Sequence, residues 1–151
     1  MTKPLWATND TDASSKPMRF MVVDDLTLDR VLMPFDIRAS AAHVKGLQSI
    51  GVLSSGEGDR LCAALDQLSV EFESGDFAID DRFEDGHSAI EWWLTERLGD
   101  LGKRIHLGRS RNDQSLVAIR LFMHDGLRRA RASTLESAST ALDIAEQHHQ
   151  T

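Results

Sequence analysis

The fold is decided by a stretch near the end of the chain, residues 112–148, which reads NDQSLVAIRLFMHDGLRRARASTLESASTALDIAEQH. Apolar residues recur there mostly at steps of three and four, from Leu116 through Met123 to Leu142, and this spacing predicts one long helix. At 1.5 Å per residue the helix would be about 55 Å long, which is more than a compact domain of this size can cover. Its apolar stripe has to be buried against something, so we expect the helix to belong to a larger bundle.

The composition excludes several classes of protein. The chain has 151 residues and 24 acidic against 17 Lys and Arg residues, for a net charge of −7. This length suits one domain, or one domain with part of a second. The acidic balance argues against a dedicated nucleic-acid binder, and no run approaches the ~20 apolar residues that cross a bilayer. The N-terminus has no apolar signal-peptide core, and the lone Cys62 favours the reducing cytoplasm.

Helix signals also dominate the rest of the chain, and the only β-like run, residues 20–23 (FMVV), is too short for a sheet. We expect a short helix over 24–33, interrupted by Pro34, and a second over 36–50 that ends before Gly51.

Two further helices have clear boundaries. Ser54 and Glu57 are spaced as a capping box for a helix that Gly75 ends, and its leucines follow a helical period: Leu61, Leu65 and Leu68. The next helix is expected over 84–98, with a buried stripe of Ile90, Trp93 and Leu94. Residues 100–111 are expected to form a loop.

That loop and the start of the long helix carry the chemistry. Residues 102–114 read GKRIHLGRSRNDQ and contain four basic side chains immediately before Asn112, a residue type suited to the N-cap. A helix N-terminus with neighbouring arginines suits a small polycarboxylate or a phosphate. A solvated basic loop that pairs with nearby acids fits the same residues, and both readings stay open. A metal site is not expected, because His87 and Glu91 lie one turn apart without a second spaced histidine.

The heptapeptide at 108–114, GRSRNDQ, resembles the signature of the argininosuccinate lyases within the fumarase/aspartase superfamily. Sister enzymes share the Ser-x-Asn-Asp core, whereas the two flanking arginines point to the argininosuccinate branch. Other segments agree in order: LW at 5–6, DIRASAAH at 36–43, GVL at 51–53, EDGH at 84–87 and LGKRIH at 101–106.

The resemblance implies an all-α fold that corresponds to the N-terminal portion of the family. A flexible segment, 1–18, would precede a small helical domain, 19–110, and the truncated start of a central helix bundle, 111–151. The family is a cytoplasmic homotetramer whose subunits share the bundle.

The resemblance also implies an activity, the reversible β-elimination of argininosuccinate to arginine and fumarate in arginine biosynthesis and the urea cycle. No metal or organic cofactor is expected, and the expected partner is the small-molecule substrate, not a nucleic acid or a membrane. Substrate contacts would come from Ser40, Ser110, Arg111 and Asn112, with Asn112 holding a carboxylate. Asp85 and His87 would line the site, and Lys103 and Arg109 would give electrostatic support.

The chain departs from the family pattern at both ends. The usual Gly-Gly-Arg-Phe after Leu-Trp is replaced by ATND at 7–10. The family's Thr-His segment, its mobile serine loop and its Lys-Lys-Asn signature would lie beyond Thr151. We therefore expect no catalytic acid or base in these 151 residues, and no activity from them alone. The alternative is an inactive remnant that at most binds ligand or associates with full-length subunits. A third hypothesis, a structural role as in lens proteins of this family, has less support in the sequence.

Overall fold

The computed structural model describes the backbone of residues 15–150 and the side chains of residues 26–150. Most of the flexible segment expected at the N-terminus lies outside the described residues, and the domain boundaries stay a prediction. No strand occurs within 15–150, and the all-α class is confirmed. The helices, in chain order, are α1 (Ser15–Ser49), α2 (Ser55–Ser74), α3 (Gly86–Leu98), a 3-10 helix (Gly99–His106) and α4 (Arg111–His148).

The first helix is longer than the sequence predicts. We expected Pro34 to interrupt it, but α1 runs through Pro34 without a break and also includes the β-like residues 20–23. A proline inside a helix removes one hydrogen bond to the preceding turn. Its neighbours Met33 and Ile37 are buried, with 1% and 5% exposure, while Pro34 itself is exposed. Burial on both sides of the proline outweighs the missing bond.

The ends of α2 follow the sequence prediction. The Oγ atom of Ser54 accepts a bond from the Glu57 N–H at 3.3 Å, and the Glu57 carboxylate accepts one from the Ser54 N–H at 2.8 Å. This reciprocal pair is the predicted capping box. At the other end Gly75 has φ +84°, a left-handed conformation that glycine adopts without strain.

The region between α3 and α4 is more ordered than predicted. We expected residues 100–111 to form a loop, but a 3-10 helix occupies Gly99–His106. Ile105 anchors it with 0% exposure, and Gly102 lies so close to α3 that an added Cβ would be 2.4 Å from the Leu94 carbonyl carbon. Packing against α3 therefore fixes a segment whose polar sequence alone suggests a loop.

The hydrophobic core lies between α1, α2, α3 and the 3-10 helix. Trp93, Ile90 and Leu94 are buried as predicted, and the Trp93 indole N–H donates to Glu71 at 2.9 Å. Besides these three, the core holds Met33, Ile37, Val44, Leu47, Leu53, Leu61, Ala64, Leu65, Leu68, Phe77, Ile79, Phe83, Ala89 and Ile105.

The predicted long helix is confirmed, and among the described residues its buried and packed side chains lie in its first third. Gln114 and Ala118 are its buried residues, and Phe122 packs edge-on against Phe35 of α1 with ring centroids 5.7 Å apart. Every residue from Leu127 to Gln150 is exposed. None of the helices in the described part of the chain is long and apolar enough to span a membrane.

Candidate substrate-binding site

The start of α4 is set by Ser110, two residues before the predicted N-cap at Asn112. The Ser110 Oγ accepts from the Asp113 N–H at 3.3 Å, and the Asp113 carboxylate accepts from the Ser110 N–H at 2.8 Å. Ser110 and Asp113 thus satisfy two backbone donors reciprocally, and the helix begins at Arg111. Asn112 instead lies in the first turn of α4, exposed to solvent.

Arg111 joins the start of α4 to the start of α3. Its Nη1 lies 2.8 Å from Oδ2 of Asp85 and 3.4 Å from Oε1 of Glu84. Asp85 is also the N-cap of α3, because its side chain accepts from the Ser88 N–H at 2.7 Å. That cap starts α3 at Gly86, two residues later than predicted. Arg111 is half-exposed, so part of its guanidinium still faces solvent.

His87, in the first turn of α3, connects three helices. Its Nδ1 lies 2.6 Å from Oδ2 of Asp36 on α1, and its Nε2 lies 3.3 Å from the Ser115 hydroxyl on α4. Burial opposes protonation of the ring, but the hydrogen bond and charge of Asp36, with Asp85 and Asp29, outweigh it and raise the pKa of His87 above 6.5. The protonated form of His87 is therefore more favourable here than in a free histidine.

A small cavity adjoins this histidine. It has a volume of about 20 Å³ and is lined by Asp29, Asp36, His87 and Ser115 among others, which is room for one water molecule. Asp29 accepts from the Gly86 N–H at 2.7 Å. Burial raises the pKa of the Asp29 carboxyl. In the described part of the chain, no three His, Cys, Asp or Glu side chains are grouped to hold a metal ion.

Ser40 and Arg109 face the interior. Ser40 has 0% exposure, and its Oγ accepts from Nη2 of Arg109 at 2.9 Å. Burial lowers the pKa of Arg109, and the charge of Asp36 opposes that shift. Ser40 has no exposed surface, and Arg109 is only partly exposed with its Nη2 directed to Ser40, so the roles assigned to them by resemblance stay predictions.

The other two basic residues of 102–114 are bound elsewhere. Lys103 is exposed and lies 2.7 Å from Asp100. Arg104 pairs with Glu57 of α2 and donates to the Val52 carbonyl at 2.7 Å. The four basic side chains of 102–114 are thus dispersed. Three of them, Lys103, Arg104 and Arg111, pair with acids, as expected for a solvated basic loop. What the fold brings together is Asp85, His87 and the first turn of α4.

Sequence reasoning missed the residues that support this arrangement, Asp36, Asp29, His106, Gln114 and Ser115. One signal was available for Asp36, which stands between Met33 and Ile37 on the buried face of α1. A carboxylate at such a position needs a buried partner. Its partner His87 is 51 positions away along the chain, so periodicity could not reveal the pair.

Known proteins are similar to this chain over nearly its whole length. A family model described as "Lyase" matches residues 11–151. The chain is 49% identical over 146 residues to the argininosuccinate lyase of Xanthomonas oryzae pv. oryzae, 50% to that of Xanthomonas campestris pv. campestris and 49% to that of Stenotrophomonas maltophilia. Each match covers 97% of this chain and 34% of the relative, so the chain spans about a third of the length of these relatives. The chain belongs to the lyase family and, within it, resembles the argininosuccinate lyases.

Proposed function

We propose that the chain supplies a substrate-binding part of an argininosuccinate lyase, which splits argininosuccinate into arginine and fumarate. The observation that carries the proposal is the first turn of α4, where Ser110, Arg111 and Asn112 face outward from a capped helix N-terminus. The relatives named above are argininosuccinate lyases. In this proposal no metal or organic cofactor takes part.

The chemistry of this turn suits one end of the substrate. The Asn112 amide can donate to a carboxylate, and Arg111 keeps guanidinium N–H groups beyond the Nη1 that contacts Asp85. In a β-elimination a proton leaves the carbon beside a carboxylate while the guanidinium departs, so negative charge develops on that carboxylate. Donors fixed on a helix N-terminus stabilise this charge without having to rearrange. We assign no acid or base among these residues.

The substrate has to lie over the exposed face of this turn. Argininosuccinate is far larger than the single water that the cavity beside His87 accommodates. In this proposal the remaining walls come from other segments of a homotetramer, in which the exposed stripe of α4 is buried in a shared bundle. Synthesis of arginine in the cytoplasm is the corresponding cellular role.

The test replaces the matching third of the Xanthomonas campestris relative by this chain, with which it is 50% identical. We expect the chimera to release fumarate from argininosuccinate, measured by its ultraviolet absorbance, and we expect Asn112→Ala to lower kcat/KM about a hundredfold. Gln147→Ala, which removes an exposed amide at the far end of α4, is the matched control. A folded tetrameric chimera without turnover, or one indifferent to Asn112→Ala, would contradict the proposal and favour the remnant.

A further inference from the structure

The side chains of the GRSRNDQ segment, residues 108–114, point in two different directions. Ser110, Arg111 and Asn112 are exposed, whereas Gln114 is 2% exposed and Arg109 points inward to the fully buried Ser40. A charged side chain directed into the protein from a motif of basic residues needs an explanation of its own, because burying a guanidinium is costly unless its donors are satisfied.

Gln114 supplies the acceptor that Arg109 needs. With its amide oxygen facing the guanidinium, Gln114 accepts from Nη2 at 2.7 Å and from Nε at 3.2 Å. The reversed amide would place its NH2 group 2.7 Å from Nη2, so that two donors would face each other. The hydrogen-bond network therefore assigns the amide orientation, and Arg109 holds Ser40 of α1 and Gln114 of α4 with one planar group.

This orientation decides the state of His106. The same Gln114 oxygen lies 2.7 Å from Nδ1 of His106 and can accept from the ring only in its Nδ1–H tautomer. Nη2 of Arg109 lies 3.2 Å from this Nδ1, and the Glu91 carboxylate on α3 lies 3.7 Å from Nε2. Burial, and then the charge of Arg109, lower the pKa of His106 to about 4, which leaves the ring neutral at pH 7. The end of the 3-10 helix is thereby joined to the first two turns of α4.

We propose that Arg109 is a positioning residue, which bridges Ser40 and the Gln114 amide oxygen, holds His106 as its Nδ1–H tautomer, and so fixes the turn that presents Ser110, Arg111 and Asn112. Ser40 is then an internal anchor of the guanidinium. Only the claim that this turn binds substrate rests on the proposed function. The buried hydrogen-bond network of Arg109 does not depend on it.

The charges around Arg109 favour this role over that of a free cation. The buried carboxylate of Asp36 acts on Arg109 as well as on His87. A guanidinium with two side-chain acceptors and a buried counter-charge gains nothing by turning outward to a ligand. Its planar fork matters more than its charge, because one ammonium group cannot reach both acceptors with the same geometry.

The first test is a heteronuclear NMR titration of the histidine rings in the 151-residue chain, with the His106 signals identified by their loss in His106→Asn. We expect Nδ1 to be protonated at pH 7 and the ring to titrate near 4. Gln114→Glu should raise the pKa of His106, because a carboxylate then faces Nδ1. A ring protonated at Nε2, or one that titrates near 6.5, would overturn the inference.

The second test separates positioning from charge in the active chimera described above. Arg109→Met removes both the charge and the fork, whereas Arg109→Lys keeps the charge alone. We expect both variants to lose kcat/KM to a similar extent, about ten- to a hundredfold, with thermal unfolding used to confirm that both are folded. Near-normal kcat/KM in Arg109→Lys would overturn the inference. If the chimera without substitutions is inactive, the proposed function is contradicted. The NMR titration still tests the role of Arg109 in that case, because it does not require activity.

Discussion

The Asp36 carboxylate on α1 lies 2.6 Å from Nδ1 of His87 on α3, and the two side chains are only 5% and 13% exposed. Ser115 of α4 is at the other nitrogen of the same ring, at 3.3 Å. Three helices that are distant in sequence thus meet at one buried ion pair. Because α3 begins at Gly86 and α4 at Arg111, His87 joins the two helix starts that form the candidate site through Ser115, and Asp36 ties this junction to α1.

Removal of the Asp36 charge should loosen this junction. We expect Asp36→Asn to lower the pKa of His87, because the bond and charge of Asp36 are the main influences that raise it. The variant should lose about 3 kcal/mol of unfolding free energy, as buried pairs do when one partner is removed. Urea unfolding measures the loss, and a double-mutant cycle with His87→Gln isolates the coupling. Additive losses in that cycle would show that the two side chains do not interact.

His87 and His106 should change the stability of the chain with pH in opposite directions. The pKa of His87 is raised above 6.5, so its contribution is complete below pH 6.5 and is lost as the pH rises through the folded value. The pKa of His106 is lowered to about 4, so its contribution is present above pH 6.5 and is lost as the pH falls toward 4.

The loss due to His106 should be on the order of 3 kcal/mol between pH 6.5 and 4. His106→Asn keeps a hydrogen-bond donor near the position of Nδ1 but removes the titratable ring. The loss of unfolding free energy between pH 6.5 and 4 that is due to His106 should therefore be absent when this variant is unfolded with urea. If the variant and the parent chain lose stability in parallel over this range, the buried neutral state of His106 is wrong.

The helical pattern was predictable where local chemistry decides it. Interactions between residues a few positions apart determine three of its features: the capping box of Ser54 and Glu57, the end of α2 at Gly75, and the long helix. Pro34 misled the prediction because tertiary burial on both sides of it overrides its local effect. The 3-10 helix was missed because its order comes from contact with α3, which no sequence period reports.

The candidate site was predictable only in part, for a related reason. Residues 108–112 stand out by composition and by resemblance, but the direction of each side chain depends on partners elsewhere. Arg109 turns inward because Ser40, 69 positions away, and Gln114 accept its bonds. Arg111 turns toward Asp85 because both helix starts meet there. Charge alone left open whether these arginines form a common anion pocket or a solvated loop, and the fold separates them.

The packing of the 3-10 helix against α3 can be tested at Gly102. We expect Gly102→Ala to destabilise the chain by about 2–3 kcal/mol, since the new Cβ would lie 2.4 Å from the Leu94 backbone, which cannot move independently. Gly126→Ala is the matched control: nothing lies within 4 Å of its added Cβ, and alanine in a helix interior should stabilise it by about 1 kcal/mol. Equal thermal stability of the two variants would mean that the 3-10 helix does not pack as described.

The exposed stripe of α4 predicts self-association of the chain. Large apolar side chains remain uncovered there: Leu116, Ile119, Met123, Leu127, Leu135, Leu142 and Ile144. Each leucine buried between copies stabilises association by about 1.5–3 kcal/mol. Leu127→Lys combined with Leu142→Lys should therefore weaken it more than a hundredfold, or about 3 kcal/mol, as measured by sedimentation velocity. The core should stay intact, because both leucines are exposed in the single chain and absent from its core.

The matched control for this surface places the same charges on the opposite side of the helix. Ala132→Lys and Gln147→Lys are exposed substitutions roughly 140° and 200° around the axis from Leu127. They should leave association unchanged, because only the apolar side is buried between copies. A chain that sediments as a monomer at high concentration would contradict the shared bundle and leave the stripe without a partner. Equal weakening by both lysine pairs would show that net charge, and not the apolar stripe, controls association.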